Sequence, residues 1–380
     1  MYTTLFSPFL KRHLALCSYL KTFPYDFNPE TRRLFKVTDG ECGMRHRLMC
    51  LIILAYMSTL LLGLIMGNHS AAARIIGIVF FMTYCLPVGQ WNYNLEMTPV
   101  QVLNAFMDFE TKVLKDRENM KMSLLARAMA LFMHVAHFSV IAVPMAAFAL
   151  ILVRPCTPPF LLSLSNQCEG IVWYGPAIII PLFELWIGLQ FFITGTVWSF
   201  FGIFVSVVTL QTYFRILNSQ ILASVSLDDV NQVIQKYRGI QVLEKHLNEW
   251  LKPVLVPSLI TLAPSLQILS QYVCIQMHND IPMPGFLVVP LIVQNTIIVN
   301  ILVFTLASYV FSSSARVMQN IKRRIRKEPR RSTIKKDLKA CSIMKIKFGT
   351  NFVDRGTPLV IQDFCLSQTM QLLLIKRGTR

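Results

Sequence analysis

The sequence predicts an all-α, polytopic membrane protein with seven transmembrane helices, a cytoplasmic N-terminus and middle helices that extend into the cytoplasm. Three observations carry that expectation. The 380 residues are 54% hydrophobic and 15% charged, against about 25% charged in a soluble domain. Apolar runs long enough for a bilayer recur along the chain. Lys and Arg fall mainly in the intervals between those runs. The formal net charge of +17 would suit a nucleic-acid binder if taken alone. The placement of the basic residues argues otherwise, and no nucleic-acid-binding motif is present, so no nucleic-acid partner is expected.

Residues 1–47 are mixed and basic and are expected to form a cytoplasmic or interfacial segment. Leu10, Leu14 and Cys17 recur at helical spacing, which predicts a short helix lying on the membrane surface. No short apolar core is followed by a small-residue cleavage site, so no cleaved signal peptide is expected. Residues 48–311 hold six apolar runs, at about 48–66, 72–89, 124–152, 177–214, 254–275 and 286–311. Two cytoplasmic loops between them read as amphipathic helices. Thr98-Pro99 with Gln101 is a capping-box start with proline at the first helical position, followed by the face Val102, Phe106, Phe109 and Val113. Ser226 with Asp229 is a second capping box. It is followed at three- and four-residue steps by Val230, Ile234, Tyr237, Ile240, Leu243, Leu247 and Trp250. The fourth run exceeds the roughly 20 residues a bilayer needs and is expected to continue into the cytoplasm through Ile216, Leu217 and Ile221. Residues 312–355 form a basic cytoplasmic loop, 356–376 a seventh, pore-type helix, and 377–380 a tail.

Orientation follows from the distribution of Lys and Arg. The N-terminal tail carries eight, the second and fourth loops five each and the sixth loop fourteen. With the N-terminus inside, 32 of the 37 basic residues are cytoplasmic, and the C-terminus is extracellular. Three tail charges, Lys376, Arg377 and Arg380, are the discordant group. Cys156 and Cys168 are the only two of nine cysteines placed outside, where disulfides persist, and they are expected to pair. No CxxC pair, cofactor motif or metal signature occurs, and no DHHC, HExxH, GxSxG or GxxxxGK[ST] stretch suggests an enzyme.

Polar groups inside apolar runs are the candidate functional residues, because an ionised side chain in lipid costs about 2.5–3.5 kcal/mol on insertion scales. Asp363, Ser367 and Gln371 recur at four-residue steps and share one helical stripe, which suits a wall facing protein or water. Asp363 is the sharpest of them. A symmetric ring of such carboxylates would attract cations, and the alternative is an interfacial residue pairing with Arg355. Two readings also stand for Glu184: an outer-edge residue reaching the headgroups, or the wall of an outward-facing pocket. Tyr84, Phe191, Phe192, Trp198 and Phe201 are candidates for an apolar pocket or for ordinary span packing. His134 and His137, one helical turn apart, have a spacing that could bind a metal, but no partner cluster accompanies them, and packing or interhelical hydrogen bonds are the favoured reading. The block KRRIRKEPRRSTIKK at 322–336 suits anionic headgroups of the inner leaflet.

Seven runs invite comparison with G-protein-coupled receptors. The charge distribution opposes it, and neither a DRY triplet nor NPxxY is present. An inside N-terminus, extended middle helices and a short polar last helix resemble instead the arthropod chemoreceptor superfamily of odorant and gustatory receptors, as a divergent member. At residue level the resemblance rests on FGTNFVDRGTPLVIQDF at 348–364. There Thr357-Pro358 stands where that family has threonine–tyrosine, and Gln362-Asp363-Phe364 where it has glutamine–phenylalanine. The resemblance implies a homo- or hetero-tetrameric, ligand-gated, non-selective cation channel in the plasma membrane. Gln362 would join Asp363, Ser367 and Gln371 in the pore helix. A small-molecule ligand would sit among the outer halves of the spans, with Tyr84, His137, Glu184, Phe191 and Trp198 as pocket candidates. The implied partners are membrane lipid, related receptor subunits, the ligand and permeating cations. Two other readings are a small-solute transporter and a non-conducting membrane scaffold.

Overall fold

Long apolar runs become helices because hydrocarbon offers the backbone no other hydrogen-bond partner. The computed structural model describes residues 2–37, 40–113, 124–165, 175–279, 281, 285–326 and 332–378. Seven of its helices are long and apolar enough to cross a membrane: Gly40–Met66, Ala71–Val88, Leu124–Val153, Ile179–Ala223, Val256–Gln276, Val288–Arg326 and Thr357–Ile375. They are the first to seventh spans below, and they make this a multi-pass membrane protein. The first span begins before the apolar run at 48, and the sixth continues past 311. Helical hydrogen bonding does not stop where the side chains turn polar. The sixth span's extension stays helical because one face, Val317, Met318, Ile321 and Ile325, is buried.

The fourth span is the pillar of the bundle. Its 45 residues extend about 68 Å at helical rise, and 89% of its most apolar stretch is buried inside the protein. It widens into π-helical turns at Gln190–Thr194 and Trp198–Val205. The first of these receives the N-terminal helix, Ser7–Leu20. Leu10, Leu14 and Cys17 are buried as their spacing predicts, but protein covers them. His13 Nε2 lies 2.6 Å from the Ile193 carbonyl, and Thr22 Oγ1 donates to Gln190 Oε1 at 2.6 Å. The helix therefore packs into the bundle rather than lying on lipid by its apolar face. That face looks the same in sequence whichever medium covers it.

Two amphipathic helices pack with the extended spans on the basic side of the bundle. Leu227–Trp250 starts with the expected capping box, Asp229 N–H donating to Ser226 Oγ and Ser226 N–H to Asp229 Oδ2. The other, Thr98–Val113, starts one residue earlier than a Thr98 cap requires. Thr98 is already helical, and Gln101 N–H donates to the Met97 carbonyl. On the opposite side, the loop after the third span is pinned to the fourth: Leu161 N–H donates to Glu184 Oε1 at 2.7 Å. Cys156 is disulfide-bonded, while Cys168 lies outside the described residues.

Candidate functional site: the seventh helix and the bundle cavity

The seventh helix is held at its start by main-chain contacts that the amphipathic helix Leu227–Trp250 supplies. Beside its apolar face runs a second stripe, Tyr237, Gln241, Glu244 and Asn248, at helical spacing. The stripe pairs with the segment leading to the seventh helix. Tyr237 Oη donates to the Ser342 carbonyl at 2.8 Å, Lys345 N–H donates to Glu244 Oε1 at 3.1 Å, and Lys347 N–H to Asn248 Oδ1 at 2.9 Å. Burial pushes the Glu244 carboxyl above the usual carboxylate range, against the pull of the Lys345 N–H. The chain then reverses in a short hairpin, Lys347–Phe348 against Asn351–Phe352. Its turn opens on Gly349 at φ 52°, a left-handed conformation that glycine adopts without a Cβ clash. Asp354 closes the approach by capping the helix. Its Oδ1 accepts from the Thr357 amide at 2.9 Å and the Thr357 hydroxyl at 2.7 Å. Those bonds hold the Asp354 carboxyl below the usual range.

From this start the helix divides into two faces. Ile361, Cys365 and Thr369 are buried against the bundle, with Cys365 and Thr369 reaching Pro264 and Gln271 of the fifth span. Asp363, Ser367 and Gln371 are exposed. At 100° per residue they lie roughly opposite Cys365 and Thr369, so the stripe runs along the middle of the exposed face. Apolar residues flank it on both sides, Leu366 and Met370 on one and Phe364 and Ile375 on the other, each more than half exposed. Only 22% of this helix's most apolar stretch is buried inside the chain's own bundle.

Gln362 takes a different direction from that stripe. Its carboxamide meets Gln267 of the fifth span: Gln267 Nε2 donates to Gln362 Oε1 at 3.1 Å, and Gln362 Nε2 faces Gln267 Oε1 at 3.4 Å. Asn300 of the sixth span adds a third amide, donating from Nδ2 to Gln267 Oε1 at 2.7 Å. Gln267 and Asn300 are fully buried. This cluster ties the fifth, sixth and seventh spans together, and ranking only ionisable groups within the spans passes over it. A search for neutral amides in apolar runs would have found Gln267 and Asn300.

Immediately beside the cluster lies a cavity of about 120 Å³ between the second to sixth spans. Phe132, Phe192 and Phe200 supply aromatic wall. Its threonines turn back on their own helices, Thr83 to the Val79 carbonyl and Thr296 to that of Ile292. Among the described residues that leaves one interhelical polar station in the wall, where Asn295 Nδ2 donates to Ser139 Oγ at 3.2 Å. Leu266 and Val299 line the cavity, and the next residue on each helix is Gln267 or Asn300 of the amide cluster.

The five pocket candidates fall in three places. Tyr84, Glu184 and Phe191 pack around Tyr56, whose hydroxyl donates to Glu184 Oε2. Glu184 is thus buried and doubly hydrogen-bonded. Trp198 packs against Tyr25, Phe23 and Trp250. His137 stands edge-on to His13 of the N-terminal helix, ring centroids 4.8 Å apart. Among the described residues no group of three or more His, Cys, Asp or Glu side chains could hold a metal ion.

Seven spans, a buried fourth pillar and a short, exposed seventh helix define a seven-span helical membrane-protein architecture. The chain shares that fold with the insect olfactory receptor OR5 from Machilis hrabei. The structure of that receptor in complex with eugenol superposes with a TM-score of 0.69 at 12% identity, covering 98% of this chain and 99% of the receptor. A second structure of the same receptor gives a TM-score of 0.59 at 12% identity over 96% and 97% of the two chains. No protein-family model matches the sequence, and no curated protein matches it.

Proposed function

We propose that this chain is a chemoreceptor subunit of odorant or gustatory type, and that four such subunits form a ligand-gated, non-selective cation channel in the plasma membrane. In this reading the N-terminus is cytoplasmic, the C-terminus extracellular, and Cys156 bonds Cys168 outside the cell. The observation that carries the proposal is the seventh helix. Its carboxylate, hydroxyl and amide stripe is centred on the face turned away from its own bundle, with apolar flanks on either side. Around a symmetry axis that arrangement presents Asp363, Ser367 and Gln371 to water and the flanks to neighbouring subunits. Gln362 acts as an internal tether of the pore helix rather than as a lining residue.

The ligand is a small, mostly apolar molecule with one hydrogen-bonding group, which suits the aromatic cavity and its Ser139–Asn295 station. The likeness to a receptor structure holding eugenol supports that reading at the level of fold. A ligand that fits the cavity better when the fifth and sixth helices move apart biases the amide cluster one residue away. The bias passes to Gln362 and the pore helix as a population shift.

Single-channel recording of the purified protein in lipid bilayers tests the proposal. Ligand-evoked unitary currents are expected, with lower cation conductance in Asp363→Asn. Asn295→Ala is expected to raise the half-maximal ligand concentration about fivefold, the worth of one hydrogen bond, at unchanged unitary conductance. Saturable solute uptake without unitary currents would point to a transporter instead. Non-reducing peptide mapping is expected to recover a Cys156–Cys168 cross-linked peptide, and a free thiol at Cys156 would contradict the assigned pairing.

A further inference from the structure

The bundle cavity selects its occupant by charge, by hydrogen-bond polarity and by size. Among the described residues every side chain that lines it is neutral. An ion entering such a wall loses its hydration and gains no charged partner. Carboxylic acids and protonated amines are therefore poor occupants.

Hydrogen-bond polarity narrows the choice further. A hydroxyl donates once and accepts through its lone pairs. Thr83, Thr196 and Thr296 donate to the carbonyls of Val79, Phe192 and Ile292 on their own helices. Ser139 likewise donates to the Val135 carbonyl at 3.0 Å. With their protons spent, the threonines offer the cavity oxygens that accept. Asn295 offers both kinds of group. One N–H of its Nδ2 goes to Ser139 Oγ at 3.2 Å. Among the described residues its second N–H has no partner, and its Oδ1 meets only Ser139 Oγ, at 3.4 Å, whose proton is already given to Val135. A ligand hydroxyl answers both vacancies, since it donates and accepts. A ketone or ether takes the spare N–H but leaves Oδ1 and the threonine oxygens without a donor, and a hydrocarbon answers neither.

Size sets the upper limit. The cavity of about 120 Å³ is smaller than the roughly 150 Å³ hollow that accepts a benzene ring. It fills at about six or seven non-hydrogen atoms, a single ring with one substituent.

We infer that the cavity is a site for compact alcohols and phenols of about six or seven non-hydrogen atoms, held at Asn295 and told from ketones, ethers and hydrocarbons of the same shape by donation of the ligand's hydroxyl proton. This rests on the ligand reading proposed above and adds the chemical class to it. Asn295 and Val299 stand one turn apart on the sixth span, and both line the cavity. An alcohol bonded to Asn295 therefore bears on the stretch of helix that carries Asn300 into the amide cluster.

Calorimetric titration of the full chain in phosphatidylcholine nanodiscs, with the heat of empty nanodiscs subtracted, tests this without reference to current. Cyclohexanol and cyclohexanone match in shape and differ in the proton. Cyclohexanol is expected to bind about fivefold more tightly, the worth of one hydrogen bond, and Asn295→Leu is expected to remove that preference. 4-Cyclohexylcyclohexanol, which adds a second ring to the same headgroup, is expected to bind about tenfold more weakly or worse, as overfilling a packed interior implies. Equal affinity for alcohol and ketone would overturn the hydroxyl assignment. A preference that survives Asn295→Leu would overturn the role of Asn295, and tight binding of the two-ring alcohol would overturn the size limit. No saturable binding of any of the three would overturn the site. Binding with the stated preference in a chain that passes no unitary currents supports this site and counts against the channel. Currents evoked equally by cyclohexanol and cyclohexanone support the channel and count against the hydroxyl. Monodisperse elution of Asn295→Leu, checked before titration, separates loss of the contact from loss of the fold.

Discussion

Gly202→Val is expected to cost about 3–5 kcal/mol, the range for displacing a large aromatic side chain from a core, and to remove most of the monodisperse protein from a detergent extract. Gly202 lies in the second π-helical stretch of the fourth span. A Cβ built there falls 1.9 Å from Trp250 Cη2 and 2.4 Å from Cζ3. The indole is rigid, so it cannot fold its tip aside as a lysine or methionine would. Trp250 is 8% exposed and stands edge-on against Trp198, ring centroids 5.8 Å apart. Expelling it uncouples the amphipathic helix Leu227–Trp250 from the pillar of the bundle. The same helix carries Gln241, Glu244 and Asn248, so the approach to the seventh helix loses its support as well. A double-mutant cycle isolates the contact. Trp250→Ala alone leaves a hole beside Gly202, and Gly202→Val fills part of it. Thermal unfolding of the double variant is therefore expected to be less impaired than the sum of the singles. Strict additivity would mean that the glycine matters for a reason other than the indole.

Sequence reached the seven spans and the two amphipathic helices because each depends on a local pattern that hydropathy or helical spacing reports. It also reached the stripe of Asp363, Ser367 and Gln371, since four-residue spacing fixes a common face whatever the helix packs against. Which direction that face takes is a tertiary fact. Gln362 is adjacent to Asp363 in sequence and about 100° away on the helix, yet it serves the interior because Gln267 waits there on a span 95 residues earlier. A lone neutral glutamine in an apolar run gives no local sign of its partner. Glu184 shows the same limit. Its cost in lipid marks it as significant, but its escape from that cost, through Tyr56 and the Leu161 amide, depends on a loop whose course composition does not encode. The aromatic candidates separate for a related reason. Tyr84, Phe191 and Trp198 are all aromatic, and only the bundle decides that two pack around Tyr56 while the third meets Trp250.

Gln267→Leu is expected to free the seventh helix from the bundle. Gln267 is the centre of the amide cluster: it is reciprocally placed against Gln362 and accepts from Asn300 at the same time. Asn300 Oδ1 already lacks a hydrogen-bond partner while fully buried. Removing Gln267 takes the Nδ2 bond from the Asn300 carboxamide as well and leaves Gln362 facing leucine. Interhelical hydrogen bonds in membrane proteins average about 0.6 kcal/mol and reach about 1.7. Losing the cluster is therefore expected to cost about 1–3 kcal/mol, a change of about 5- to 150-fold in the docked population of the helix. Cys365 reports that population directly. It is fully buried on the inward face of the seventh helix, with Sγ 3.9 Å from the Pro264 carbonyl. Modification of Cys365 by a membrane-permeant maleimide, followed by mass spectrometry, is expected to accelerate about thirtyfold in Gln267→Leu, the middle of that range. Gln267→Asn, which keeps the amide but shortens its reach, is expected to fall between the two. If Cys365 reacts at the native rate in Gln267→Leu, the apolar contact of Ile361 and the Thr369–Gln271 hydrogen bond suffice to dock the helix and the Gln267–Gln362 amides do not tether it. If it accelerates and spontaneous openings rise with it in bilayer recordings, the cluster is the element through which the cavity and the pore helix exchange free energy.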